Sequence, residues 1–88
     1  MADKVRITVR RRDSLKMPRV VLHINIDGVR TGKVNPDGTA FLEIEPGTHD
    51  VEVLVVKGIR SSGTFEFREG TCLNIEAKLG KIELSVSG

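Results

Sequence analysis

An all-β fold, a small antiparallel β-sandwich of seven to eight short strands, is what these 88 residues predict. Three observations carry the prediction. Apolar and polar residues alternate with period two along most of the chain, which is the signature of half-buried strands. The core must be aliphatic, because Phe41, Phe65 and Phe67 are the only aromatic residues, and Val and Ile fit a pleated surface. Tight Gly-containing turns interrupt the alternation at short intervals, the pattern of a sandwich or small barrel. No apolar stripe repeats at helical spacing for two turns, so no α-helix longer than one turn is expected.

In the first run, Val5, Ile7 and Val9 point one way while Lys4, Arg6, Thr8 and Arg10 point the other. A loop is expected from Arg12 through Pro18. The second run places Val20, Leu22, Ile24 and Ile26 on one face and stops at Asp27-Gly28, a dipeptide suited to the positive φ angles of a type I′ hairpin. The return strand, 29–34, contains Gly32, a candidate bulge. Asn35-Pro36-Asp37-Gly38 is a second turn, with proline presetting φ and Asp-Gly tolerating a left-handed corner. The next strand buries Ala40, Leu42 and Ile44, exposes Glu43 and Glu45, and ends at Pro46-Gly47. Residues 49–57 turn Val51, Val53 and Val55 inward, and 59–63 read as a flexible connection. Three closing strands carry Phe65/Phe67, Leu73/Ile75/Ala77 and Ile82/Leu84/Val86, separated by Gly70 and Leu79-Gly80.

This length fits one domain, residues 1–88, with a core modest for its surface. Cys72 is the only cysteine, so no intrachain disulfide forms, which leans toward a reducing, cytoplasmic compartment. The first residues lack the apolar stretch of a signal peptide, and no run is long enough to span a membrane. The ending at Ser85-Val86-Ser87-Gly88 also suits a domain excised from a longer, envelope-associated protein. Net charge is only +2, but residues 1–33 hold nine Lys/Arg against three Asp, a local +6 balanced by −4 in the remainder. Such asymmetry steers an acidic partner toward one edge, or sets a basic strand beside an acidic one.

Two surfaces stand out. Val21, Phe41, Leu54 and Val56, together with Cys72, are apolar on the nominally exposed face. Either a loop covers them, or they form an apolar patch on one sheet that docks a protein, a glycan or a second copy of the chain. Arg10-Arg11-Arg12, with Arg6, Lys16 and Arg19 nearby, is the second. It is either an edge strand guarded by charge or a footprint for a polyanion: an anionic glycan, a lipid surface or nucleic acid. Nucleic acid ranks last, because no aromatic residues interleave with the arginines to stack bases.

Residues 20–56 carry a family resemblance. Ile26-Asp27-Gly28, then Gly32, then Glu45-Pro46-Gly47-Thr48-His49 leading into Val51-Glu52-Val53 resembles the PEGA-type β-sandwich repeat, and more broadly transthyretin-like and carboxypeptidase-regulatory-like sandwiches. The Pro-x-Gly-Ala element that names the PEGA family is absent. The resemblance implies a non-enzymatic domain, often attached to larger surface or envelope proteins, that mediates binding. His49, just after its turn, is expected to order that turn by hydrogen bonding or to face solvent.

Little points to chemistry. His23, His49 and Cys72 are the nitrogen and sulfur ligand candidates, and no two have the spacing that recurs in zinc sites. Ser14, Ser61 and Ser62 lack a G-x-S-x-G elbow. Glu43/Glu45 and Asp50/Glu52 stand two apart, which puts them on the solvent faces of strands. No phosphate-binding glycine pattern occurs. The expectation is a non-catalytic binding module without a cofactor, acting through a sheet face, with polyanion binding by the basic N-terminal strand as the alternative.

Overall fold

The computed structural model of the chain describes residues 4–14, 20–55, 58–78 and 80–88. Eight strands form: β1 (Val5–Asp13), β2 (Leu22–Ile26), β3 (Val29–Val34), β4 (Thr39–Ile44), β5 (Gly47–Leu54), β6 (Arg60–Phe67), β7 (Cys72–Lys78) and β8 (Lys81–Ser87). They make two sheets of four, ordered β4-β1-β7-β8 and β3-β2-β5-β6. Among the described residues there is no helix, hence none long and apolar enough to cross a membrane. Across the sandwich β3 lies beside β4 and β6 beside β8.

The alternation read from the sequence puts the core where expected. Ile7 and Val9 of β1, Leu22, Ile24 and Ile26 of β2, Leu42 and Ile44 of β4, Val51 and Val53 of β5, and Leu73, Ile75 and Ala77 of β7 form one buried cluster with Phe67. Each strand contributes alternate residues because a pleat sends successive side chains to opposite faces. Asp27 and Gly28 have φ of 51° and 81°, the two left-handed positions that the β2–β3 hairpin requires. The β2–β3 register slips between Ile24 and Asn25, and Gly32 sits at the slip opposite Ile24. A Cβ on Gly32 would come within 2.8 Å of Leu42 Cδ2, so any side chain there would require the end of Leu42 to shift, and glycine eases the approach of β3 to β4.

Four expectations are corrected. First, β1 does not give way to a loop at Arg12; it runs to Asp13. Its extension is flanked on both sides: Arg11 N donates to Gly38 O and Ser14 N to Ala77 O, at 3.1 and 2.8 Å. Second, β1 is no edge strand guarded by charge. It lies inside its sheet, antiparallel to β4 and parallel to β7. That one parallel pair departs from an otherwise antiparallel sandwich. Third, part of the supposed flexible connection at 59–63 belongs to β6. Backbone pairing with β5 runs without a break from Leu54↔Arg60 to Gly47↔Phe67, so polar Ser61, Ser62 and Thr64 are held by ladder hydrogen bonds rather than by burial. Fourth, Val86 is exposed: it lies on β8, the edge strand of its sheet, although its partner Leu73 on β7 is buried.

One inward position is occupied by a charge. After Ile7 and Val9 the next side chain on that face is Arg11, which is buried. Its Nε donates to Asp13 Oδ1 at 2.7 Å and its Nη1 to the carbonyl of Val34 at 3.0 Å, tying the far end of β1 to β3 in the opposite sheet.

Candidate functional site

The outer face of the sheet β4-β1-β7-β8 gathers the chemistry. Paired residues in a sheet point to the same side, so the register fixes which side chains share that face. One row across it is Phe41, Thr8, Cys72 and Ser87; the next is Thr39, Arg10, Asn74 and Ser85. Beyond lie Arg12, Glu76 and Glu83, and on the other side Glu43 and Arg6. Rows are about 6.7 Å apart and strands about 4.8 Å. Over the Arg10 row and the Arg12 row, beside the turn at Asp37-Gly38, lies a concavity of about 370 Å³, lined by Arg10, Arg12, Asp37, Thr39, Asn74, Glu76 and Ser85 among others.

The charges on this face are not equivalent. Lys78 is held by Glu83 at 2.7 Å and lies 3.9 Å from Glu76, and the Glu83 contact raises the lysine pKa and lowers that of the glutamate. Arg6 stands opposite Glu43 and stacks its guanidinium 4.6 Å from the centre of the Phe41 ring. Arg12 stands opposite Glu76. Arg10 alone faces neutral neighbours on both sides, Thr39 and Asn74. Among the described residues neither Arg10 nor Arg12 has an ion-pair partner. Asn74 is oriented from both ends: its amide nitrogen donates to Ser87 Oγ at 3.0 Å, and its Oδ1 accepts from Cys72 Sγ at 3.4 Å. One amide N–H of Asn74 remains to offer a ligand.

The residues singled out from the sequence separate in space. Arg6, Arg10 and Arg12 share the outer face, while Arg11 points into the interior and cannot contribute to a surface patch. Lys16, Arg19 and Val56 lie outside the described residues. The apolar set does not assemble on one sheet. Phe41 belongs to β4 of the first sheet and is 57% exposed, whereas Leu54 belongs to β5 of the second and is buried. Val21 is half-buried just before β2. Thr39, Asn74 and Ser85 escaped sequence reading. They are ordinary polar residues on three different strands, and only the β4-β1-β7-β8 pairing, with its parallel member, brings them to Arg10.

A second polar constellation joins the two turns of the 20–56 segment. His49 Nδ1 lies 2.6 Å from Asp27 Oδ2 and Nε2 lies 2.7 Å from the carbonyl of Glu45. Asp27 Oδ1 also accepts from the Asp50 amide at 2.9 Å. His49 therefore orders both turns. Both its ring nitrogens face acceptors, which only the imidazolium satisfies with two N–H donors. The Asp27 contact, then the Glu45 carbonyl, raise the His49 pKa above 6.5, while His49 and the Asp50 amide lower that of Asp27 below 3.8. A raised histidine pKa stabilises the fold fully below the unfolded value of 6.5, and that share is lost as pH rises through the folded value. The depressed Asp27 stabilises above 3.8, and its share is lost as pH falls through its folded value. The urea midpoint should accordingly be higher at about pH 5.5 than at about pH 8.5, and His49→Gln should flatten that difference. An unchanged pH profile in the variant would remove His49 as its source.

Among the described residues no group of three His, Cys, Asp or Glu could hold a metal ion. No protein-family model matches the chain, and no curated protein matches it significantly.

Proposed function

We propose that this chain is a non-catalytic β-sandwich binding module that takes an anionic ligand on the outer face of the sheet β4-β1-β7-β8, with Arg10 at the centre. One observation carries the reading: an exposed guanidinium with no ion pair among the described residues, set between its neutral ladder partners Thr39 and Asn74 over the 370 Å³ concavity, whose lining also includes Asp37 and Glu76. Five N–H donors in a planar fork suit a carboxylate or phosphate oxygen pair, and the flanking hydroxyls and amide add neutral donors. The kinship we propose is with PEGA-type sandwiches. It is supported by the quoted motifs and by the way Asp27 of one stretch and His49 of the other meet in a single hydrogen-bonded link.

Titration of ¹⁵N-labelled protein with inorganic phosphate tests the anion reading. Amide shifts should concentrate at Arg10, Thr39, Asn74 and Ser85 and weaken as chloride is added. A charge-assisted hydrogen bond contributes about 1.5–3 kcal/mol, so Arg10→Ala should weaken binding by about 10- to 100-fold. Equal affinity in wild type and Arg10→Ala would refute the site.

A further inference from the structure

We infer that the ligand of this face is a carboxylated polysaccharide whose acidic sugars alternate with neutral ones. The inference rests on the anion reading above and adds the chemical class. Its first support is charge spacing. The two middle rows hold eight side chains and a single formal charge, Arg10, while the rows on either side each set a glutamate opposite their arginine: Glu43 with Arg6, and Glu76 with Arg12. Arg6 and Arg10 are four residues apart on one strand, about 13 Å. A densely charged chain such as nucleic acid or a heavily sulfated glycan would meet Glu43, Glu76 and Glu83 as often as it met the arginines, and like-charge juxtaposition opposes that register. A chain with widely separated anionic groups places one on Arg10 and passes the carboxylates with neutral units.

The second support is what surrounds Arg10. Thr8, Thr39, Ser85, Ser87 and Asn74 form a field of neutral donors and acceptors, the complement of sugar hydroxyls. One row away stands Phe41, 57% exposed and braced by Arg6, whose guanidinium lies 4.6 Å from the ring centre. The exposed aromatic surface carries the negative potential that attracts the C–H groups on the flat side of a pyranose ring. Phe41 and Arg10 are diagonal neighbours on adjacent strands, about 8 Å apart, so one sugar can stack on Phe41 while its neighbour reaches Arg10.

The test is calorimetric and NMR titration of the full chain with a hyaluronan octasaccharide. A neutral chitin octasaccharide, a heparin octasaccharide, a short single-stranded DNA and polyglutamate serve as comparators. Hyaluronan should bind most tightly. Its affinity should fall about 10- to 100-fold in Arg10→Ala, from the lost charge-assisted bond. A further loss of about 2- to 10-fold is expected in Phe41→Ala, with Phe41→Leu intermediate. Tighter binding of heparin, DNA or polyglutamate, still Arg10-dependent but indifferent to Phe41, would overturn the glycan assignment and leave the anion reading standing. Absence of any response, inorganic phosphate included, would overturn both. Amide spectra of each variant confirm that these exposed substitutions leave the fold intact.

Discussion

Replacing Arg11 alone with leucine is expected to destabilise the fold by about 3–5 kcal/mol, whereas replacing Arg11 and Asp13 together with leucine should be close to neutral or stabilising. The reasoning starts from burial. The Arg11 side chain has no exposed surface and that of Asp13 is 5% exposed, so their mutual contact at 2.7 Å replaces hydration that both have lost. Removing the guanidinium leaves a carboxylate in the interior without its counter-charge, which costs far more than the pair itself contributes. The pair is also imperfectly satisfied: Arg11 Nη2 and Asp13 Oδ2 are buried and have no hydrogen-bond partner. That deficit is why two leucines, which need no partners, can match or exceed it. For a domain of this size, about 4–8 °C of melting temperature goes with each kcal/mol, so the single variant would melt tens of degrees lower. A double-mutant cycle by urea denaturation checks the coupling. Additive single-site effects would show that the two charges act independently.

The same residue explains where sequence reasoning stopped. Alternation located Ile7 and Val9 correctly because apolar side chains announce the inner face. At Arg11 the period continued but the chemistry changed sign, and a strand carrying a buried cation looks like the start of a loop. β6 escaped for the complementary reason. Ser61, Ser62, Gly63 and Thr64 have no apolar face to betray a strand, and their order comes from backbone pairing with β5, which composition does not encode. The turns were legible in detail, since positive φ at Asp27, Gly28 and Asp37 follows from local sterics alone. The site was legible only in its charges. Arg6, Arg10 and Arg12 are spaced by four and two residues, even intervals that keep them on one face by the period of a strand. Their neighbours Thr39, Asn74 and Ser85 come from other strands, and pairing partners distant in sequence leave no periodic trace. The parallel β1–β7 contact is the least legible feature, because it joins segments some sixty residues apart through a crossover.

Phe67→Ala is the second large effect, expected to lower stability by about 3–5 kcal/mol. Phe67 is the largest fully buried side chain in a core otherwise made of Val, Ile, Leu and Ala. It closes the end of the sandwich where β6 leaves the sheet. The Phe65 ring meets it edge-on at 6.5 Å, and the His49 ring lies 6.1 Å away. Truncation therefore removes the hydrophobic transfer term, the aromatic contact and one wall supporting the link between the two turns. A domain of 88 residues has about 4–13 kcal/mol in total, so the variant retains a small margin at best. The size of the loss reports how rigid the surroundings are. Aliphatic neighbours that collapse into the space would hold it near the lower bound, while a cavity kept open by the two sheets would push it toward the upper. Phe67→Leu, which keeps most of the volume, should lose less than half as much. If the His49 link depends on this support, the pH dependence of the urea midpoint should shrink in Phe67→Ala even though His49 and Asp27 are untouched. A loss of stability with the pH profile intact would mean that the backbone of the turns, not the ring beneath them, holds His49 in place.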